Sequence, residues 1–109
     1  MAIPHASPGM AADLQPPNEL LSEATTYVLV KNEAFEAIRM AVRKDYVACR
    51  DHHVPGPITI QCLKGWVELS VDGETHLLKA GQWSYVPGGV SHTIKGVEDS
   101  LLLLTIMFC

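Results

Sequence analysis

The chain is expected to fold as an all-β barrel or sandwich, and three features predict it. Short runs suited to strands recur between turn residues from Thr25 onward, with no convincing long helix among them. Asp72-Gly73 separates two such runs and is a strong hairpin signal, because both residues tolerate positive φ. Residues 101–109 (LLLLTIMFC) are apolar on both faces of any strand they form, so they must be covered from two sides.

The elements follow in order. Residues 1–18 hold Pro4, Pro8, Gly9, Pro16 and Pro17 among small residues and read as an extended N-terminal arm, leaving residues 19–109 as one domain. Residues 19–23 have room for a helical turn only. Residues 25–31 (TTYVLVK), rich in β-branched and aromatic side chains, form a strand that Asn32-Glu33 breaks. Residues 35–43 (FEAIRMAVR) admit either period, and their neighbours favour a strand. Residues 46–50 lead into Asp51-His52-His53-Val54-Pro55-Gly56-Pro57, a loop no helix could cross.

Residues 58–63 are the next strand, ended by Gly65. Trp66 to Val71 and Glu74 to Lys79 flank the Asp72-Gly73 turn. A two-residue loop fixes their register, so Val71 faces Glu74, Leu69 faces His76 and Val67 faces Leu78. His76 thereby falls on an otherwise mostly apolar face. Residues 82–86 alternate like a strand, bend at Pro87-Gly88-Gly89 and deliver His92 onto the strand that follows.

The 109 residues, 48% hydrophobic and 18% charged, fit one packed domain. A net charge of -4 with no basic cluster beyond Arg43-Lys44 excludes a phosphate-binding field, so nucleic acid is not an expected partner. Cys49, Cys62 and Cys109 lie far apart without a CxxC pair, which suits a reducing compartment better than a disulfide framework. Cys49 and Cys62 are expected to act as small buried hydrophobes. Residues 1–15 carry no Lys or Arg and no apolar run, and no run elsewhere is long enough for a membrane span. A cytoplasmic protein with no membrane partner is the expectation. Covering both faces of residues 101–109 calls for a second subunit, so a homodimer is expected.

The stretch GQWSYVPGGVSHTIKG, Gly81 to Gly96, has the spacing G-x5-P-x-G-x2-H and resembles the second sequence motif of the cupin superfamily. Gly65 would close that superfamily's first motif, with fifteen residues between it and Gly81. Counting back from Gly65 places the glutamate of the motif at Ile58, which cannot ligate a metal. The histidine pair falls in either of two registers: His52 with Val54, or Asp51 with His53. The segment HHVPGPITIQCLKG also looks like a variant of small cupins in which a histidine precedes a Pro-x-Pro turn and a strand bearing a glutamine; there His52 is the carried-over ligand and Gln61 takes the glutamine place. Gly96 stands where the second motif usually has asparagine.

The resemblance, over about residues 35–106, implies a cupin-type jelly-roll barrel that binds a small molecule in its interior. It implies a divalent metal (Zn, Ni, Fe, Mn or Cu) held by His92 with His52 and/or His53, and dioxygenase or isomerase chemistry. The expected pocket contains Ile58, Ile60, Gln61, Cys62 and His76. Plainer readings stand beside these. A His-His pair before a Pro-Gly turn, taken without the motif, is a solvated loop; His76 alone is a satisfied cavity histidine; Trp83 and Tyr85 are packing residues; and without a metal the barrel becomes a binding or sensing pocket.

Overall fold

A computed structural model describes residues 6–14 and 26–108. The helical turn expected at residues 19–23 and the terminal Cys109 lie outside the described residues.

Nine strands form in the described residues: β1 (Thr26–Lys31), β2 (Phe35–Val42), β3 (Val47–His52), β4 (Ile58–Lys64), β5 (Trp66–Val71), β6 (Glu74–Lys79), β7 (Trp83–Val86), β8 (His92–Gly96) and β9 (Ser100–Met107). They make two antiparallel sheets, a five-stranded one in the order β1-β2-β9-β4-β7 and a four-stranded one in the order β3-β8-β5-β6. The expected all-β barrel is therefore observed, with several boundaries moved by a residue or two, most notably where β3 continues through Asp51 to His52 and the loop begins at His53.

Alternation sorts each strand into an inner and an outer face. Ile58, Ile60 and Cys62 of β4 point inward with Leu102 and Leu104 of β9, Met40 and Val42 of β2, Val67 and Leu69 of β5, and Ile94 of β8. These residues are nearly inaccessible to water, and each contributes on the order of 1.5–3 kcal/mol by burial. The twofold-apolar run at the C-terminus is explained by its place: β9 sits between β2 and β4 in the middle of its sheet.

The Asp72-Gly73 hairpin forms as expected, with φ of 52° and 85° and Cα pairs Val71 with Glu74, Leu69 with His76 and Val67 with Leu78. The N-terminal arm touches the five-stranded sheet within its described part: the Ala6 N–H donates to the Leu29 carbonyl (2.8 Å), and Arg39 Nη1 donates to the Asp13 carbonyl (2.9 Å).

Two loops are locked together at one end of the barrel. The Gly89 N–H donates to the Val54 carbonyl at 2.7 Å, and a Cβ on Gly88 would strike the Pro55 carbonyl oxygen. This contact joins the turn before β8 to the loop after β3, the two segments that carry His92 and His52.

Candidate functional site

β8 is regular, so His92, Ile94 and Gly96 all point inward. β3 is not. Its pairing with β8 shifts register between Val47 and Cys49 and again between Cys49 and His52, so Cys49 lies opposite Ile94 and His52 opposite His92. Cys49 and His52 are three residues apart and would face opposite sides of a regular strand; the irregularity lets both line one cavity, with Cys49 half-buried and His52 exposed at the surface.

The two imidazole rings meet edge to face, with centroids 5.4 Å apart and an interplanar angle of 89°. His92 is 2% exposed, and among the described residues neither of its ring nitrogens has a hydrogen-bond partner. A buried polar atom without a partner costs about 1–3 kcal/mol, so this orphaned pair calls for a ligand or a bound water. Burial pushes the His92 pKa down. The neighbouring His52 pushes it further the same way and His53 adds a smaller push, whereas the Val90 backbone opposes them without a well-formed hydrogen bond to either nitrogen. His92 is thus neutral near pH 7, the form that can accept a proton or ligate a metal.

The rings close one end of a cavity of about 300 Å³. Its walls are Ile38 and Met40 of β2, Ala48 and Cys49 of β3, Ile58 of β4, and Leu104 and Ile106 of β9, and the exposed Arg50 lines it together with the two histidines. Burial raises the Cys49 thiol pKa, so it acts as an apolar wall.

Several expected pocket residues sit elsewhere. Ile60 and Cys62 point inward but are 0% exposed in packed core, and neither lines the cavity the two histidines share. Cys62 Sγ lies 3.5 Å from the carbonyls of Lys64 and Gly65, and burial raises its pKa. Gln61 is exposed on the outer face, opposite Trp83 and Leu103, because alternation cannot place it on the same side as Ile60 and Cys62. His53 is exposed in the loop after β3.

His76 shares a face with Leu69, as expected, but β6 is an edge strand and nothing roofs it. Its side chain is 61% exposed and lies 3.6 Å from Glu74. It lines a separate groove of about 690 Å³ on the open side of the barrel, between β6 and β7. Trp83 and Tyr85, expected as packing residues, are exposed on that rim and stack on each other at 5.9 Å.

Ile38, Met40, Leu104 and Ile106 were missing from the sequence-derived pocket. Period-2 alternation would have placed them inside, but not at the His end. Arg50 left no periodic signal, because it lies where β3 loses its register. The described residues contain no group of three or more His, Cys, Asp or Glu side chains arranged to hold a metal ion. For Asp51 only the backbone is described.

No family model matches the chain. An uncharacterised protein of Aquifex aeolicus (strain VF5) is 34% identical over 55 residues, 50% of this chain and 46% of that protein, so the match spans about half the length of this curated relative. Among solved structures, a conserved protein of unknown function from Streptococcus pyogenes superposes with a TM-score of 0.80 at 23% identity, covering 100% of this chain and 96% of that one. An RmlC-like cupin from Shewanella frigidimarina superposes at 0.70 with 22% identity over 75% of this chain and 73% of its own. Salicylate 1,2-dioxygenase of Pseudoaminobacter salicylatoxidans, solved with gentisate, superposes at 0.68 with 17% identity over 74% of this chain and 24% of its own. The two-sheet topology and these superpositions agree with the resemblance in the sequence: the chain has the cupin fold, a small jelly-roll barrel.

Proposed function

We propose that this protein binds a small molecule inside the barrel, with His92 and His52 forming the polar end of the site. The observation that carries this is the pair of buried, unpartnered His92 nitrogens beside an otherwise apolar cavity. Apolar walls with a few convergent polar groups are the usual form of a small-ligand site.

A divalent metal is part of the proposal, and its fit to the residues is partial. Two neutral imidazoles suit Zn, Ni, Cu or Fe, whereas the motif's carboxylate position is taken by Ile58, which is 2% exposed in the cavity wall. His92 and His52 would hold the ion, and the remaining positions would be filled by the small molecule or water. Exposed His53 contributes only if its loop folds inward. Bound there, a metal would polarise an oxygen of the ligand, the chemistry a dioxygenase or isomerase needs. Salicylate 1,2-dioxygenase, built on the same fold, is consistent with that option and does not assign it. The chain's own part is to orient the ligand between apolar walls and to keep His92 neutral and dry.

The test is a thermal melt of protein purified without a metal-affinity tag, with and without chelator and with added Zn, Ni, Mn or Fe. A metal at 100 times its Kd should stabilise the native state by about 2.7 kcal/mol, and His92→Ala should remove the response. A melting temperature unmoved by chelator and by every metal, equally in both proteins, leaves a metal-free binding pocket as the function. We further propose a cytoplasmic homodimer: Cys49 and Cys62 are free thiols, and the outer face of β9 is incompletely covered by the described residues.

A further inference from the structure

We infer that the molecule bound in the barrel interior is a small organic carboxylate, with Arg50 holding its anionic group; this rests on the interior being the binding site. Charge is the first argument. Arg50 is the permanently charged group at the cavity, and none of the cavity-lining side chains among the described residues is a carboxylate. Ile58 is the reason, since it stands where the resembling motif carries glutamate. Glu36 lies one wall away, lining the adjoining groove with Val54, Pro55 and Phe108 beyond Ile106.

Arg50 is also uncommitted among the described residues. Among the described residues the ion pair is His76 with Glu74, and no carboxylate or carbonyl engages the Arg50 guanidinium. The neutral His92 ring lining the same cavity adds one N–H donor that is likewise without a partner among the described residues. A carboxylate supplies the acceptor: its two oxygens match the guanidinium fork, and a second bond from His92 satisfies one orphaned nitrogen.

Size and valence narrow the class. About 300 Å³ is room for about ten water-sized groups, which suits a short-chain or single-ring acid. A monoanion balances one guanidinium, whereas a phosphate dianion would leave a charge unpaired against Ile38, Met40 and Leu104. A cation would meet Arg50 with no carboxylate to offset it.

Titration calorimetry in chelator-containing buffer tests this with benzoate, hexanoate and their primary amides. The acids should bind at least about tenfold more tightly than the matched amides, Arg50→Gln should erase that difference, and Arg50→Lys should keep part of it. Arg50 is exposed, so these variants should melt with the wild type. Ile106→Trp, which fills the cavity, should weaken acids and amides together. Acids and amides binding alike, or a preference that survives Arg50→Gln, overturns the carboxylate inference and leaves the barrel interior as the site. Binding that survives Ile106→Trp, or no binding of any probe at millimolar concentration, overturns the inference and the interior site with it.

Discussion

His92 carries more of this protein's chemistry than any other side chain, and its burial has a consequence for stability as well as for binding. An unfolded histidine titrates near 6.5, and the folded His92 titrates lower because burial and the His52 ring disfavour its charged form. Above about pH 6.5 both states are neutral and the group contributes nothing. As the pH falls below that value the unfolded chain takes up a proton that the folded chain resists, so stability is lost until the folded value is passed. Wild-type melting temperature should therefore drop between about pH 7 and pH 5 more steeply than that of His92→Gln. Equal slopes for the two proteins would show that the buried ring is not what makes the barrel acid-sensitive. Gly96 shows a different constraint at the same scale. Where the motif usually has asparagine, a Cβ would strike the Arg43 carbonyl and crowd the Val42 side chain, so glycine here serves the packing of β8 against the end of β2.

At the scale of elements, the site depends on two irregular segments held at a fixed separation. β3 gives up its register so that Cys49 and the exposed His52 line the same cavity, and the loop after it is clamped by the Pro87-Gly88-Gly89 turn. Gly88→Ala would force the Pro55 carbonyl away, at a cost of about 1–3 kcal/mol, and would part the two segments that carry the histidines. The variant should melt several degrees below the wild type and bind the interior ligand more weakly. A Gly88→Ala protein indistinguishable from wild type in both respects would show that the loops need not touch. The same two segments mark what the sequence could and could not reveal. Strands with clean alternation and glycine-bearing turns, such as the β5-β6 hairpin, are legible because each residue's face follows from its neighbour's. A bulge breaks that rule without leaving a mark in the residue pattern, so which β3 side chains line the cavity, Arg50 among them, is not legible there. Misplacing Gln61 has a different origin, since motif matching set aside the alternation that points it outward. The exposure of His76 depends on which strand ends at a sheet edge, and that is fixed by the topology of the whole chain.

At the scale of the molecule, the outer face of the five-stranded sheet is the surface left over. Leu103, Thr105 and Met107 of β9 are half-buried there, next to Phe35, Ala37 and Ala41 of β2, while Tyr85 and Trp83 of β7 stand exposed at the far edge. The charge on that face is already engaged: Arg39 lies 4.9 Å from the centre of the Tyr27 ring and donates to the Asp13 carbonyl. An apolar sheet face of this kind favours an isologous contact, in which two copies of β9 and its neighbours cover one another. The protein should then sediment or scatter as a dimer at micromolar concentration. Leu103→Glu places a charge at the centre of the face without touching the inward-pointing core, so it should yield a folded monomer that still binds the interior ligand. A wild type that stays near 11.9 kDa at these concentrations refutes the dimer. If Leu103→Glu remains dimeric, the contact lies on another face, and the open groove between β6 and β7, rimmed by Trp83 and Tyr85, becomes the surface to probe next.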